Sequence, residues 1–330
     1  MNKRILTGIT TTGTPHIGNY LGAIRPALQL AEEYNESFFF LADYHAIIKN
    51  SNKNEIQDSV KSVAQAWLAS GLDPDTSNFY RQSDVPEILE LSWILNCVTA
   101  KGLMNRSHAY KAATTANNTD EDKGISMGLF SYPVLMAADI LMFNATHVPV
   151  GPDQIQHLEM TRDIAGRFNH IYKNTFMLPE AISQKPDQII LGQDGRKMSK
   201  SYGNIIPLLS TEKVLKKSIA KIVTNSLEPG VPKDYKNCTV FSLYKHFSSS
   251  DEQEALKSEY ADGISWGDAK NKLFNKVNIH LAPIRDKYFE LESNKEMIDE
   301  LLFNGANKVR PLAQDLLNQI KNSIGISKIS

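Results

Sequence analysis

The sequence predicts an α/β fold: a Rossmann-like, doubly wound parallel sheet with a helical insertion, followed by an all-helical C-terminal domain. Three observations support this fold class. In the first half of the chain, short apolar runs alternate with segments of helical periodicity, which is typical of a parallel sheet covered by helices. From residue 210 onward only helical periodicity continues. The length of 330 residues fits roughly two domains.

Each predicted strand ends in a turn and is followed by a helix. The apolar run from Ile5 to Thr10 predicts the first strand, and a helix is expected at 15–34, with Thr14 as its cap and Pro15 in its first position. The other strands are expected at 38–43, 78–82 and 146–150. Such an alternation indicates right-handed crossovers and a sheet with helices on both faces.

A polar, Asn- and Thr-rich stretch at 101–130 interrupts this alternation and indicates an inserted, exposed piece. We therefore expect a Rossmann-like domain at 1–205 with a helical insertion at about 101–185. A helical domain is expected at 206–330.

Composition limits the function classes. The 36 Lys and Arg residues balance 37 Asp and Glu residues, so a globally basic nucleic-acid coat is excluded, although a local patch is not. Cys97 and Cys238 lie in unrelated contexts and predict neither a CxxC metal site nor a disulfide framework. No apolar run approaches the length of a membrane span, and the N-terminus lacks a long apolar core. We expect a cytoplasmic protein that does not contact the membrane.

The segment ILTGITTTGTPHIGN predicts a strand, a Thr/Gly turn and the start of a helix. His16 and Asn19 share one face of the predicted first turn, near the positive end of the helix dipole, where backbone N–H groups bind phosphate. Gly18 lets a nucleotide approach the backbone closely. The segment is neither a Walker A loop nor GxGxxG, and a capped helix with a solvated histidine fits the spacing equally well.

A second cue is the loop GRKMSKSYGN at 195–204, which carries three basic residues and no acid. Most such charge runs are solvated faces. Here Lys197 and Lys200 are separated by Met198 and Ser199 in a Gly-flanked loop. Two lysines so placed can fold over a polyphosphate and neutralise the charge that builds on a leaving group.

Together, the PHIGN element and KMSKS about 180 residues later resemble the paired signatures of class I aminoacyl-tRNA synthetases. Asn19 stands where the usual motif has a second histidine, a variant of the tryptophan and tyrosine branch. Between the two signatures, the stretch YPVLMAADILMFNATHVPVGPDQIQHLEMTRDIAGRFN resembles bacterial tryptophanyl-tRNA synthetases.

Asp139 is the one charged residue within 131–143, and it shares a helix face with Tyr132 and Met136. A buried carboxylate needs a donor. The indole N–H is a donor without acceptor capacity, so an acceptor facing it across an aromatic-sized pocket favours tryptophan over phenylalanine. The resemblance implies this role for Asp139. The alternative is a carboxylate tied to a neighbouring helix or to the backbone.

The turns that follow the strands are expected to meet in the crevice at the carboxyl ends of the sheet, where open parallel sheets bind ligands. The resemblance implies an ATP site formed by Thr10, Thr11, Thr12, Gly18, Asn19, Gly151, Pro152, Asp153, Ile189, Lys197, Met198, Ser199, Lys200 and Ser201. It implies a tryptophan site formed by Gly8, His45, Tyr132, Met136, Asp139, Val148, Val150 and Gln154. The catalytic residues that would hold the phosphates are His16, Asn19, Lys197, Lys200 and Lys111. For Lys111, which the insertion would deliver, a solvated helix face is the alternative.

The resemblance further implies ATP-dependent formation of tryptophanyl-adenylate and transfer of tryptophan to tRNA(Trp), with release of pyrophosphate and AMP. Mg²⁺ would be bound through the ATP phosphates, without a protein metal site. A homodimer is implied, with the insertion and neighbouring helices as its interface, and the helical domain would contact the anticodon.

Three rival functions remain at this point: a tyrosyl-tRNA synthetase, a class I nucleotidylyltransferase, and a synthetase-like binding protein without catalysis. Asp139 and the GPDQIQHLEMTRDIA run favour tryptophan over tyrosine. The long helical C-terminal region argues against the nucleotidylyltransferase. A non-catalytic relative is expected to have lost His16, Asn19 or the KMSKS lysines, all of which are present.

Overall fold

The centre of the molecule is a parallel sheet, seen in a computed structural model that describes residues 3–117, 122–183 and 189–326. Within these residues the sheet has five strands in the order β3-β2-β1-β4-β5, every pair parallel. The strands are β1 (Arg4–Thr10), β2 (Glu36–Ala42), β3 (Asn78–Arg81), β4 (His147–Val150) and β5 (Glu180–Ser183). The order reverses between β1 and β4, which creates the crevice where such sheets bind ligands. The predicted fold class is confirmed.

Helices connect the strands and continue alone after the sheet. In the first part of the chain they are α1 (Ile17–Asn19), α2 (Arg25–Ala31), α3 (Asp43–Ile47), α4 (Lys53–Ala69), α5 (Glu87–Val98), α6 (Lys101–Met104), α7 (His108–Ala116), α8 (Met127–Met142) and α9 (Ile155–Tyr172). The C-terminal part has α10 (Glu212–Ala220), α11 (Thr239–Tyr244), α12 (Ser250–Ala261), α13 (Trp266–Glu292) and α14 (Lys295–Ile324). In the described residues none of these helices is both long and apolar enough to cross a bilayer.

The sequence of β2 explains how the sheet is covered on both faces. Successive side chains of a strand point to opposite faces, so a strand buried on both sides is apolar throughout. Phe39 packs against Trp67 of α4, with ring centroids 5.4 Å apart. Phe38 and Phe40 belong to the opposite cluster, which α5, α8 and α9 supply. The sheet therefore lies between two apolar layers.

The last helix, α14, covers the free edge of the sheet at β3. Gly305 of α14 lies so close to this strand that a Cβ atom at that position would come within 1.7 Å of the Phe79 carbonyl oxygen. Farther along the helix, Arg310 donates hydrogen bonds to the buried Glu87 carboxylate at 2.9 and 3.1 Å. Helices from 206–330 thus share a core with the sheet, and α14 protects an edge strand from pairing with other chains.

The start of the first helix differs from the prediction. Thr14 is not its cap and Pro15 is not in its first position, because His16 is the N-cap and the helix begins at Ile17. A widened π turn, Tyr20–Ile24, then precedes α2, whose first turn contains Pro26. Proline lacks an N–H and its ring would clash with the carbonyl four residues earlier in a regular α-helix, and the wider turn relieves that conflict.

The range 101–185 is not purely helical. It contains α6 to α9, but it also contains β4 and β5, which belong to the central sheet. The strand β5 was not predicted, because its four residues EAIS show no apolar run. The part that lies off the sheet is therefore shorter than predicted.

Candidate active site

The turn after β1 begins the candidate site. Gly13 lies in this turn with a φ of 61°, a conformation that favours glycine. Its N–H donates to Ser59 Oγ at 2.8 Å, which ties the turn to α4. The Lys200 ammonium donates to the carbonyl oxygen of Thr12. The KMSKS loop therefore touches the turn that follows the first strand, although 188 residues separate the two in sequence.

His16 and Asn19 cap the first helix reciprocally. The His16 N–H donates to Asn19 Oδ1 at 3.0 Å, and the Asn19 N–H donates to His16 Nδ1 at 3.3 Å. Burial, together with the charge of Lys200, lowers the pKa of His16 to about 4. The ring is therefore neutral at pH 7, and because Nδ1 accepts a hydrogen bond, the proton lies on Nε2.

The KMSKS loop lies directly on the start of this helix. The Gly18 N–H donates to Met198 Sδ at 3.2 Å, and the Met198 side chain is buried. A Cβ atom at position 18 would come within 2.9 Å of His16 Nδ1, so only glycine permits this approach. The Ile17 N–H donates to the Ile206 carbonyl oxygen at 2.9 Å, immediately beyond the loop. The structure thus brings together the two motifs that the sequence singled out.

Asn204, which the sequence analysis missed, holds the KMSKS loop in shape. The Ser199 N–H donates to Asn204 Oδ1 at 2.8 Å, while Asn204 Nδ2 donates to Asp194 Oδ1 at 2.6 Å and to the Lys197 carbonyl oxygen at 3.1 Å. Hydrogen bonds from Asn204 and Arg196 lower the pKa of Asp194 to about 2. The Gly-Asn pair that ends the GRKMSKSYGN segment was the available signal for this residue.

Asp139 lies at the other end of the site, on α8, and is 0% exposed. His45 Nε2 lies 2.9 Å from Asp139 Oδ2, and Gln82 Nε2 donates to Oδ1 at 2.7 Å and to Oδ2 at 3.0 Å. Burial raises the pKa of Asp139, and the hydrogen bonds from His45 and Gln82 oppose that rise. The donors to this buried acid are protein side chains, His45 on α3 and the unpredicted Gln82 after β3, so the structure shows the alternative of a carboxylate tied to neighbouring elements. Recognition of an indole N–H by Asp139 stays a prediction.

The other residues predicted to surround tryptophan come from α8, β4, β1 and the start of α9. Tyr132 lies on α8, its ring edge-on to His45 with centroids 6.2 Å apart, and its hydroxyl contacts His157 Nε2. Val148 and Val150 are buried on β4. The remaining members are Gly8 on β1, the half-buried Met136 on α8, and Gln154 at the N-cap of α9.

The residues predicted to bind ATP lie in several segments and differ in exposure. Thr10, Thr11 and Thr12 form the end of β1 and its turn, and Thr11 is buried while the other two are exposed. Gly151 and Pro152 lie in the turn between β4 and α9. The side chain of Asp153 is outside the described part of the structure. Exposed positions are occupied by Lys197, Ser201 and Ile189, and Ser199 Oγ lies 2.8 Å from Ser201 Oγ.

Lys111 takes no part in the contacts that join the KMSKS loop to the turn after β1 and to the first helix. It is exposed on α7, which packs against α8, and its amine forms no ion pair with the described residues of the site. Among the described residues there is also no group of three His, Cys, Asp or Glu side chains that could hold a metal ion. Two cavities, of about 200 and about 370 Å³, open beside α9, and neither is lined by Asp139.

The fold and the two motifs are those of a class I synthetase, and the family model described as class I tRNA synthetases (W and Y) matches residues 2–282. The chain belongs to this family.

Individual relatives are similar over nearly the whole chain. Over 329 residues the chain is 54% identical to the Tryptophan--tRNA ligase of Neisseria meningitidis serogroup A, with 98% of each chain covered. It is 52% identical over 333 residues to that of Pseudomonas putida, covering 99% of this chain and 74% of the relative. The crystal structure of tryptophanyl-tRNA synthetase from Campylobacter jejuni complexed with ADP and tryptophan is 42% identical, with a TM-score of 0.89, and covers 98% of this chain and 99% of that chain.

Proposed function

We propose that this protein activates L-tryptophan with ATP to give tryptophanyl-adenylate, and then transfers the tryptophanyl group to tRNA(Trp), releasing pyrophosphate and AMP. The observation that carries this proposal is the 54% identity, over 98% of both chains, to a relative named Tryptophan--tRNA ligase. Tyrosine-specific synthetases share the fold, as a 19% identical tyrosyl-tRNA synthetase from Archaeoglobus fulgidus with a TM-score of 0.65 illustrates. The shared fold alone does not separate the two amino acids, whereas the 54% identity favours tryptophan.

In the first step an oxygen of the tryptophan carboxylate attacks the α-phosphorus of ATP, and the bond from that phosphorus to the bridging oxygen breaks. No enzyme nucleophile takes part, so catalysis consists of positioning and of electrostatic stabilisation of the departing pyrophosphate. We assign Lys197 and Lys200 to the phosphates, because Lys200 lies at the turn after β1. The neutral His16 would donate from Nε2, and Asn19 from Nδ2.

The remaining phosphate and nucleotide contacts follow from the same placement. Backbone groups of the turn at 10–12 and of Gly18 would face ATP from one side, and the turn at 151–153 would face it from the other. Lys111, exposed on α7, is assigned to the phosphates as a further positive charge. We assign Mg²⁺ to the phosphate oxygens of ATP, where it would neutralise charge between the phosphates.

Tryptophan would be recognised by Asp139. A carboxylate offers about four acceptor sites, and three hydrogen bonds from His45 and Gln82 use three of them. The remaining site, on Oδ1, can accept from the indole N–H. The hydroxyl group of a phenol both donates and accepts hydrogen bonds. Against a carboxylate, which only accepts, the oxygen of that hydroxyl would have no donor. Because Asp139 is fully covered, an indole reaches it only when the side chains around it move.

In the second step a hydroxyl of the terminal ribose of tRNA(Trp) attacks the carbonyl carbon of the adenylate, and AMP leaves. We assign the catalytic reaction to residues 1–205 and anticodon binding to residues 206–330, which are helical wherever they form regular structure among the described residues. A cytoplasmic location is part of the proposal and agrees with Cys97 and Cys238 both being outside any disulfide.

A homodimer is supported by an exposed apolar strip on α5. Leu89, Trp93 and Cys97 are spaced four residues apart on one helix face, and Trp93 is 71% exposed. Contiguous exposed apolar side chains of this size mark protein interfaces. Sedimentation velocity should give a dimer for the wild-type chain and a monomer for Trp93→Glu. A wild-type monomer at micromolar concentration would contradict the proposal.

The activity is tested by exchange of labelled pyrophosphate into ATP, measured with each of the twenty amino acids. Exchange with tryptophan alone is expected, followed by charging of tRNA(Trp) when that tRNA is added. Exchange with tyrosine would favour the rival synthetase. No exchange with any amino acid would favour a nucleotidylyltransferase or a binding protein.

A further inference from the structure

We infer that Gln82 is a positioning residue for tryptophan recognition, which holds the Asp139 carboxylate in the orientation that accepts the indole N–H. The inference rests on the proposed function, because it takes tryptophan as the substrate. Gln82 directly follows β3, in the short helix Gln82–Asp84, and is 0% exposed. Most buried side-chain amides have hydrogen-bond partners. The partners of the Gln82 carbonyl oxygen and of its NH₂ group therefore define its role.

The orientation of the Gln82 amide is fixed by Tyr44. The Tyr44 backbone N–H can only donate, and it lies 3.1 Å from Gln82 Oε1. The amide NH₂ group must therefore face the other way, toward Asp139, where Nε2 lies 2.7 Å from Oδ1 and 3.0 Å from Oδ2. A flipped amide would place donor against donor at Tyr44 and acceptor against acceptor at Asp139.

Gln82 is also the partner that spans both carboxylate oxygens. His45 contacts Oδ2 alone, at 2.9 Å, so without Gln82 the carboxylate could rotate about its bond to Cβ while keeping that contact. With Gln82 in place, the carboxylate plane is held and Oδ1 keeps an acceptor site. Burial raises the pKa of Asp139, and losing the Gln82 hydrogen bonds would raise it further, which favours the protonated acid over the ionised acceptor.

The test compares tryptophan with β-(benzothiophen-3-yl)-L-alanine, an analogue of similar shape in which sulfur replaces the indole N–H. Calorimetry gives the dissociation constant of each ligand for the full-length protein. Gln82→Met and Gln82→Leu each remove the amide and keep an apolar side chain of similar size. Gln65→Met is the matched control, because Gln65 is a buried glutamine on α4.

Both Gln82 variants should reduce the preference for tryptophan over the analogue by about tenfold or more, the range of a hydrogen bond to a charged group. Binding of the analogue itself should change less than about threefold, and Gln65→Met should leave the preference unchanged. Equal weakening of both ligands would mean that Gln82 supports only the structure of the pocket, and would overturn the inference. A loss of preference in only one of the two variants would assign the effect to the shape of the new side chain and would overturn the inference as well.

Three further outcomes separate a failure of the inference from a failure of the proposed function. If Gln82→Met does not fold, as judged by circular dichroism, Gln82→Leu decides the question, since it also removes the amide. If the wild-type protein binds no tryptophan, the proposed function fails before any variant is measured. If the wild type binds tryptophan and the preference survives in the Gln82 variants, the inference fails alone.

Discussion

Replacing Lys200 by alanine should slow pyrophosphate exchange without weakening tryptophan binding. The Lys200 ammonium lies at the Thr12 carbonyl oxygen, in the turn proposed to face the phosphates, whereas Asp139 is enclosed by His45 and Gln82. A unit charge about 4 Å from a phosphate oxygen is worth about 4 kcal/mol near a protein surface, where the effective dielectric constant is about 20. Loss of one preorganised group that stabilises developing charge typically costs about 10²- to 10³-fold in kcat.

The assay is exchange of labelled pyrophosphate into ATP at saturating ATP, with tryptophan varied to give kcat and KM separately. For Lys200→Ala we expect kcat to fall by about 10²- to 10³-fold and the KM for tryptophan to stay within about threefold of wild type. Lys213→Ala is the matched control, because this exposed lysine on α10 carries the same charge outside the loop. A kcat within about threefold of wild type in a folded Lys200→Ala protein would refute the assignment of this lysine to the leaving pyrophosphate.

Three further predictions concern other parts of the site and the fold. The pKa of His16 is lowered to about 4, so an NMR titration should find its ring neutral above pH 5, and a midpoint near 6.5 would contradict the structure. Because unfolding restores the ordinary pKa, His16 should also lower the free energy of unfolding as the pH falls from 6.5 toward 4. Asn204→Ala removes three side-chain hydrogen bonds that shape the KMSKS loop. It should lower kcat about tenfold and leave the KM for tryptophan unchanged. A KM for tryptophan that rises as much as kcat falls would contradict this prediction. Arg310→Ala should reduce the free energy of unfolding, measured in urea at pH 7, by about 2 kcal/mol, against less than about 0.5 kcal/mol for the exposed Lys287→Ala. Since the Arg310 contact contributes to lowering the pKa of Glu87, that difference should shrink as the pH falls below the ordinary pKa of 4.5.

The sequence predicted the sheet well where strands are apolar and buried on both faces. The apolar run at 38–43 predicted a buried strand, and the structure has β2 at Glu36–Ala42. The strand β5 was missed because its four residues carry no such pattern, and its place in the sheet depends on pairing with β4. Periodicity reports local burial but does not report which distant element provides the cover. The packing of α14 on β3 was unpredictable for the same reason.

Within the site, the sequence predicted residues that belong to recognisable motifs and missed those that support them. Histidine is not among the preferred N-cap residues, so Thr14 was the natural candidate, and the reciprocal hydrogen bonds of His16 with Asn19 decided otherwise. Gln82 begins a short helix and Asn204 lies in a loop, both on connecting segments where polar residues are usually solvated. Only the folded chain shows that both are buried and that each holds a group from a neighbouring segment.

The central claim is that a buried carboxylate recognises the indole N–H, and a crystal structure of the protein with bound tryptophan tests it most directly. We expect the indole nitrogen to lie about 2.9 Å from Asp139 Oδ1, the ordinary distance of an N–H to oxygen hydrogen bond. Gln82 and His45 should keep their present contacts with the carboxylate. An indole ring bound away from Asp139, or one whose nitrogen faces another acceptor, would contradict the claim.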